Sequence, residues 1–223
     1  LAKEIKRDPM FVDLLFSVFS CTYNTKYCNP KPDFSDADLK KIIEKMPEMR
    51  TLGLLEDDVK LVNRIGLDSL KFLRWIIFTC RSNFLFLPTT LEIPEFRSEK
   101  CFQFMAMSAS YEQENIFQQM KKVYGSRYLW HGSPTLRWHS IIRQGLKNLS
   151  NTNLMGTGAR YGEGIYLAPN SRVAYDYAVP YRNAYPKSQL GDELQIVALC
   201  EVIKLPDKEK VSLFSFHYYN FSY

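Results

Sequence analysis

A histidine, a glycine and a serine follow one another in the segment from Tyr128 to Ser133 (YLWHGS). The aromatic start of this segment predicts a short strand, which delivers the His131 ring, the bare Gly132 backbone and the Ser133 hydroxyl to the start of a helix. Because glycine has no side chain, a ligand can approach its backbone, and the N–H and C=O groups can then pair with an amide. The tripeptide alone is more typical of an ordinary strand-to-helix turn with a hydrogen-bonded histidine.

Four glycines lie within the segment from Met155 to Ala168 (MGTGARYGEGIYLA), which then enters a strand-like run. The dinucleotide-binding GxGxxG motif needs its glycines after a strand and before a helix, whereas these glycines precede the strand. The sequence also contains no GK[ST] phosphate-binding loop. These patterns argue against a hydride-transfer dehydrogenase, and a flexible hairpin loop with a half-buried tyrosine is the plain alternative.

Four tyrosines follow at short intervals, interleaved with one acidic and one basic residue. They are Tyr175, Tyr177, Tyr181 and Tyr185, with Asp176 and Arg182 between them. Aromatic faces at the wall of a pocket can sandwich a flat ring. In isolation, such tyrosines more often pack in a core or at an interface.

Two stretches of different texture have to position these residues. Over 1–94, apolar residues recur at helical spacing, for example after Asp8-Pro9 and after Ser35, which is a favourable N-cap. Over 95–223, strand-like and helix-like segments alternate. We therefore expect an α+β protein with a helical region over 1–94 and a second domain over 95–223.

Local signals within the second stretch predict where its elements begin and end. Gly125 and Gly145 each stand where a helix is expected to stop. Ser133 is expected to cap a helix that has Pro134 in its first position. The apolar run from Glu193 to Ile203 (ELQIVALCEVI) is expected to form one long strand.

Taken in order, these segments resemble the catalytic domain of the poly(ADP-ribose) polymerase (PARP) family. The matching features are His131-Gly132-Ser133, a helix ending at Gly145-Leu146, the run from Tyr161 to Tyr166 (YGEGIY), and Tyr177 eleven residues further on. The resemblance covers about Cys101 to Pro206 and implies a mixed α/β, ADP-ribosyltransferase-like split-sheet domain. The helical region, with Leu73 to Ile76 (LRWI), is similar to the one that precedes this domain in the mono-ADP-ribosylating branch.

The resemblance implies an enzyme that cleaves the nicotinamide–ribose bond of NAD+ and transfers ADP-ribose to a protein, the chain itself being one candidate acceptor. On that pattern His131 binds the adenosine ribose and is catalytic together with Tyr166. The Gly132 backbone pairs with the nicotinamide carboxamide, and Ser133 supports the ribose contacts. NAD+ is then a co-substrate, and no metal is implied.

The resemblance also assigns the remaining contacts of the donor. Tyr166 and Tyr177 flank the nicotinamide ring by stacking, and about Asn148 to Gly162 form a loop over the donor. Arg160 in that loop is a candidate for the pyrophosphate, with a solvated arginine as the alternative. Nicotinamide leaves as a neutral group, so the site has to hold the ring while an oxocarbenium-like sugar forms and needs no strong general acid.

Two departures from the family pattern concern activity. Ala174 stands where the family often has a serine that contacts the carboxamide, and Ser171 is the nearest substitute. The third triad residue is a glutamate in polymer-forming members, whereas Lys208 to Tyr223 does not resemble the closing strands and offers only Tyr218 or Tyr219. We expect a truncated or alternative C-terminus, and an inactive fragment that binds NAD, ADP-ribose or a protein is the second hypothesis.

Composition limits the other classes of function. The formal charge of the 223 residues is only +5, and the basic residues are scattered, so a nucleic-acid partner is not favoured. Five cysteines without a CxxC pair, with three histidines, argue against a zinc site and for free thiols in a reducing compartment. The densest apolar stretch, Phe72 to Cys80, is interrupted by Arg74 and is too short to span a membrane. We expect a cytoplasmic or nuclear location and leave membrane association of a longer parent protein open.

Overall fold

The computed structural model describes residues 1–80, 82–98, 100–108, 111–150, 163–205, 209–211 and 217–219. Helices and short strands both contribute, which confirms the expected α+β class. The helices are α1 (Ala2–Arg7), α2 (Pro9–Ser20), α3 (Asp36–Lys45), α4 (Met49–Gly53), α5 (Asp58–Ile65), α6 (Leu67–Phe78), α7 (Tyr111–Tyr124), α8 (Trp138–Gln144) and α9 (Ser171–Tyr177). Single 3-10 turns cover Pro94–Phe96 and Thr135–Arg137.

The strands form several small sheets. They are β1 (Asn83–Phe86), β2 (Phe104–Ser108), β3 (Ser126–Gly132), β4 (Ile165–Leu167), β5 (Tyr181–Arg182), β6 (Glu193–Leu194), β7 (Val197–Ile203), β8 (Glu209–Val211) and β9 (His217–Tyr219). Within the described residues, β1 pairs with β2, β3 with β7, and β5 with β6, while β9 lies between β4 and β8. The expected strand from Glu193 to Ile203 is therefore two strands, β6 and β7, which pair with different partners.

Backbone contacts divide the chain into two compact units. The first comprises Leu1–Met107 and Tyr181–Leu194, and the second comprises Ser108–Pro180 and Gln195–Tyr223. The division expected at residue 94 stays a prediction. The first unit thus contains α1 to α6 together with a hairpin that comes from much later in the sequence.

Side-chain caps and an aromatic cluster explain why the first unit is helical. The Asp8 carboxylate accepts the Phe11 N–H at the start of α2, and the Ser35 hydroxyl accepts the Asp38 N–H at the start of α3, as expected. The rings of Phe16, Phe19 and Phe72 then pack together, and the Phe72 centroid lies 5.6 Å from that of Phe16 and 4.9 Å from that of Phe19. Burying such rings supplies most of the stabilisation that a small helical core needs.

The β5–β6 hairpin, residues 181–194, packs on this helical core. Tyr185 is only 1% exposed, and its hydroxyl donates a 2.6 Å hydrogen bond to the carbonyl of Pro47. Its ring meets Phe16 edge-on at 4.7 Å. The expected group of four tyrosines is thereby divided, because Tyr185 serves the core of the first unit.

Asp13 on α2 is the buried polar anchor of the same hairpin. Its carboxylate accepts hydrogen bonds from the hydroxyls of Ser17 (2.9 Å) and Ser188 (2.7 Å) and from the backbone N–H of Gln189 (3.0 Å). The side chain is fully buried, and burial raises the pKa of Asp13 above its ordinary value, although these hydrogen bonds and Arg50 act in the opposite direction.

The second unit is built around the pair of strands β3 and β7. Leu129, Ile165, Leu167 and Val202 form its apolar cluster, with Leu146 and Cys200 packed against them. The end of β4 lies beside β3, on the edge opposite β7, where Trp130 and Ala168 exchange backbone hydrogen bonds of 2.7 and 2.8 Å. α7 and α8 end at Gly125 and Gly145, both with positive φ, as expected.

The start of α8 differs from the expectation. Ser133 makes no helix cap, and Pro134 is not the first helical residue. Instead, Pro134 precedes the 3-10 turn Thr135–Arg137, and the α-helix begins only at Trp138. The local Ser-Pro signal is overridden by hydrogen bonds that the turn makes to a distant segment, described below.

Exchanging Asp13 for asparagine tests the buried anchor. Because the folded-state pKa of Asp13 is raised, the folded protein binds this proton more tightly than the unfolded chain does. The contribution of Asp13 to stability is therefore largest below its unfolded pKa, about 3.9, and is lost as the pH rises through the folded pKa. We expect the difference in free energy of unfolding between wild type and Asp13→Asn, measured with urea, to shrink from about pH 4 to about pH 7.

Asp33→Asn, which changes an exposed aspartate of the same unit, is the control for this series. A difference for Asp13→Asn that grows towards neutral pH would contradict a raised pKa.

Candidate functional site

The His-Gly-Ser segment lies at the end of the central strand of the second unit. β3 runs antiparallel to β7, with His131 opposite Ala198 and Gly132 opposite Val197. Leu129, two residues before His131, is buried in the apolar cluster and fixes the strand against it. The strand therefore presents His131 and Gly132 at a defined edge of the unit.

His131 is held by the strand next to it. Its Nδ1 lies 3.0 Å from the carbonyl oxygen of Tyr166 on β4. A carbonyl only accepts hydrogen bonds, so Nδ1 carries the proton, and the neutral ring keeps a lone pair on Nε2. Burial lowers the pKa of His131, and the hydrogen bond to Tyr166 opposes this shift without reversing it.

The Tyr166 side chain is on the face of β4 that is turned away from the apolar cluster. Ile165 and Leu167 are buried in that cluster, whereas Tyr166 between them is half-buried. Side chains alternate along a strand, so the phenol and its two neighbours point in opposite directions. Tyr166 therefore contributes its carbonyl to His131 and keeps its ring out of the core.

Gly132 is required by the close approach of α9. A Cβ atom at this position would overlap the carbonyl oxygen of Ala174 and lie 2.6 Å from its carbonyl carbon. Ala174 and Ala178 are buried on this side of α9. Only glycine leaves room for the helix backbone here. Packing alone therefore requires a glycine at position 132, whether or not a ligand binds next to it.

Tyr177 lies between two anchors of the same segment. It is the last residue of α9, one turn after Ala174, which packs on Gly132. Two residues later, the Val179 carbonyl accepts hydrogen bonds from Thr135. The backbone around Tyr177 is thus held beside the turn that follows His131, and its side chain is 43% exposed.

Ser133 and Trp138 form a closed turn next to the histidine. The indole N–H of Trp138 donates a 3.0 Å hydrogen bond to the carbonyl of Ser133, and both residues are buried. The indole also lies 6.4 Å from the His131 ring, between centroids. Sequence reasoning missed Trp138 and Thr135. The signal that was available is a large aromatic five residues after the serine.

The other expected contacts are placed as follows. Arg160 lies outside the described residues, as do Tyr161 and Gly162 and most of the expected loop. Ser171 is the first residue of α9, which is capped by Asn170, and Ala174 faces Gly132. The backbone of Tyr218 on β9 pairs directly opposite Tyr166.

The structure thus brings His131, Gly132, Ser133, Tyr166 and Tyr177 into one region of the second unit. Their roles towards a ligand stay predictions. Cysteine chemistry is not suggested for this region, because burial raises the pKa of the nearby Cys200 thiol to about 11.

A model of the poly(ADP-ribose) polymerase catalytic domain matches residues 90–214, which is more than half of the chain. The chain belongs to this family. The match spans the whole arrangement of His131, Tyr166 and Tyr177, and it confirms the resemblance expected from the sequence.

Curated relatives of this family agree with the match. Protein mono-ADP-ribosyltransferase PARP8 from Mus musculus is 33% identical over 163 residues, and the Homo sapiens protein of that name is 39% identical over 163 residues. Each alignment covers 62% of this chain and 19% of the relative. Protein mono-ADP-ribosyltransferase PARP16 from Homo sapiens is 41% identical over 81 residues, 36% of this chain and 23% of that protein. The chain therefore spans about a fifth of the length of the relatives it matches.

Two further observations concern metals and membranes. Within the described ranges, no group of three or more His, Cys, Asp or Glu side chains is arranged to hold a metal ion. Among the helices that the structure describes, none combines the length and apolar character needed to cross a bilayer.

Gly132→Ala tests the packing of α9 on β3. The added methyl overlaps the Ala174 carbonyl, which is backbone and cannot rotate away, so we expect a loss of about 3 kcal/mol in the free energy of unfolding. Urea denaturation of the whole chain, followed by tryptophan fluorescence, measures this loss.

Gly53→Ala is the matched control, because a Cβ there meets its nearest atom at 3.4 Å, an ordinary contact. If Gly132→Ala changes stability by less than about 0.5 kcal/mol, the close approach of α9 is wrong.

Proposed function

We propose that this chain is an NAD-dependent mono-ADP-ribosyltransferase domain, which cleaves the nicotinamide–ribose bond and transfers ADP-ribose to a protein acceptor. The observation that carries the proposal is the hydrogen bond from the His131 ring to the Tyr166 carbonyl, next to Gly132 and Tyr177, in a member of the PARP family. The names of the curated relatives, which are mono-ADP-ribosyltransferases, support the same class.

The fixed histidine supplies an acceptor for the sugar. With Nδ1–H donated to Tyr166, Nε2 has a lone pair for a ribose hydroxyl, and the low pKa keeps this form at neutral pH. The ring needs no rotation before it binds, so little entropy is lost on binding. His131 therefore serves as an orienting group in the proposed reaction.

The aromatic side chains supply the binding of the leaving group. Tyr166 and Tyr177 flank the nicotinamide ring, the Gly132 backbone pairs with its carboxamide, and Ser133 supports the ribose contacts. Stacking and hydrogen bonding hold the departing ring in line with the sugar while positive charge moves onto the ribose. Such orientation can remove several kcal/mol from the barrier, typically about 7 to 11 in well-oriented systems.

The residue opposite Tyr166 supports transfer of single ADP-ribose units. β9 carries His217, Tyr218 and Tyr219, with Tyr218 in register with Tyr166, and none of these residues is a carboxylate. Polymer-forming members of the family have a glutamate in their third triad position. We therefore propose that the product is mono-ADP-ribosylated protein, with the chain itself included among the acceptors.

A binding module is the second candidate function. It is favoured by Ala174, which has no hydroxyl for the carboxamide, and by the missing acidic residue on β9. Such a module would hold NAD, ADP-ribose or a protein partner without cleaving the donor.

Incubation with NAD labelled in its adenylate part separates these functions. We expect label on the chain or on added proteins, one unit per site, together with release of nicotinamide measured by chromatography. Tyr166→Ala should lower the rate at least about tenfold, because one side of the ring stack is lost.

Tyr128→Ala, which removes an exposed tyrosine from β3, is the matched control and should keep the rate. Saturable binding of NAD without release of nicotinamide would instead support the binding module, and a ladder of products would contradict transfer of single units.

The pH dependence of NAD binding tests the state of His131. Because its pKa is lowered from the ordinary value of about 6.5, the ring is neutral throughout the physiological range. We expect the affinity for NAD to stay level from about pH 8 to about pH 6.5 and to fall only at lower pH, where Nε2 is protonated.

Titrations monitored by protein fluorescence measure this affinity, and His131→Gln should lose the acidic decline. An affinity that already falls between pH 8 and pH 7 would contradict the lowered pKa.

A further inference from the structure

We propose that Thr135 is a positioning residue for the Tyr177 ring, a role that rests on the proposed function of the site. Thr135 follows the His131-Gly132-Ser133 segment, and it holds the backbone that leads out of α9. It therefore ties together, within the second unit, two separate parts of the site.

Both donors of Thr135 are directed at one acceptor. Its backbone N–H lies 3.0 Å from the carbonyl oxygen of Val179, and its hydroxyl oxygen lies 3.2 Å from the same atom. Thr135 is fully buried, so water does not compete for these bonds. A carbonyl oxygen has two lone pairs, so it can accept both hydrogen bonds at once and is held in direction as well as in distance.

This carbonyl belongs to the segment that orients Tyr177. α9 has only seven residues and ends at Tyr177, with the Ala178 N–H bonded to the carbonyls of Ala174 and Tyr175. So short a helix has little intrinsic stability and depends on contacts with its surroundings. Gly132 provides one such contact at Ala174, in the middle of the helix, and Thr135 provides another at Val179, just beyond its end.

The Tyr177 side chain projects from the backbone that Thr135 holds. It is 43% exposed, whereas Ala174 and Ala178 on either side are buried. The backbone at 177–179 sets the position of the Cα–Cβ bond from which the ring leaves the chain, and Thr135 holds this backbone at Val179. A shift of about 1 Å in a group that orients a substrate can cost about a hundredfold in rate.

The turn that contains Thr135 is itself held in place by a hydrogen bond between residues on either side of it. The Trp138 indole donates to the Ser133 carbonyl and closes the turn that contains Thr135. A threonine side chain also has few accessible rotamers, because it is branched at Cβ. The hydroxyl thus connects the rigid turn after His131 to the end of α9.

Nicotinamide binding, measured by NMR titration of the whole chain, tests this role through a graded series at position 135. Thr135→Val keeps the shape but removes the hydroxyl, and we expect about fivefold weaker binding, the size of one net hydrogen bond. Thr135→Ser keeps the hydroxyl and should bind within about twofold of wild type. Thr135→Cys, whose thiol is a weak donor, should lie between them and serves if the valine variant fails to fold.

Thr22→Val is the matched control. Thr22 is also fully buried and its hydroxyl is 2.9 Å from that of Thr25, but it lies in the first unit. We expect it to lower the unfolding temperature without changing nicotinamide binding. If Thr135→Val and Thr135→Cys bind nicotinamide as tightly as wild type, the positioning role is wrong.

A double-mutant cycle distinguishes positioning from general destabilisation. Tyr177→Ala should weaken nicotinamide binding, whereas Tyr124→Ala, at the last residue of α7 and 48% exposed, should not. In the Tyr177→Ala background, Thr135→Val should add less than about twofold, because the group that it positions is gone.

The outcomes keep the two proposals apart. A full fivefold effect of Thr135→Val in the Tyr177→Ala background would overturn the positioning role and leave the proposed function intact. Unchanged binding by Tyr177→Ala would overturn both the positioning role and the donor site.

Discussion

The second unit depends on one close approach, in which the backbone of α9 lies directly on Gly132. No side chain fits between them, so the distance between helix and strand is set by the backbone atoms themselves. Because Ala174 and Ala178 are small, the helix can lie flat against the strand and end beside the turn that follows His131. The placement of Tyr177, one turn after Ala174, follows from this contact.

The hydrogen bond between His131 and the Tyr166 carbonyl adds a second constraint of a different kind. It joins neighbouring strands through a side chain and selects one tautomer of the imidazole. The same residue, Tyr166, thereby orients the histidine with its backbone, while its ring lies on the opposite face from the apolar cluster. A site built in this way relies on strand register more than on surrounding side chains.

Local signals predicted the elements well where the cause is local. Asp8, Ser35 and Gly145 act on residues within one turn, and each begins or ends its helix as expected. Ser133 and Pro134 carried an equally clear local signal, but Thr135 is bound to Val179, 44 residues away, and the turn follows that contact. The roles of Tyr177 and Tyr185 were indistinguishable in sequence, since only distant partners such as Phe16 separate them.

Because the 181–194 hairpin belongs to the helical unit, that unit is discontinuous in sequence. A polypeptide cleaved after Met107 would leave Asp13 with two of its three donors on the other fragment, and Tyr185 would lose the ring on which it packs. Each fragment would then expose to water side chains that are buried in the intact protein. Limited proteolysis at a single loop therefore cannot release the helices as an independent piece. Separating the two units would require at least two breaks in the chain.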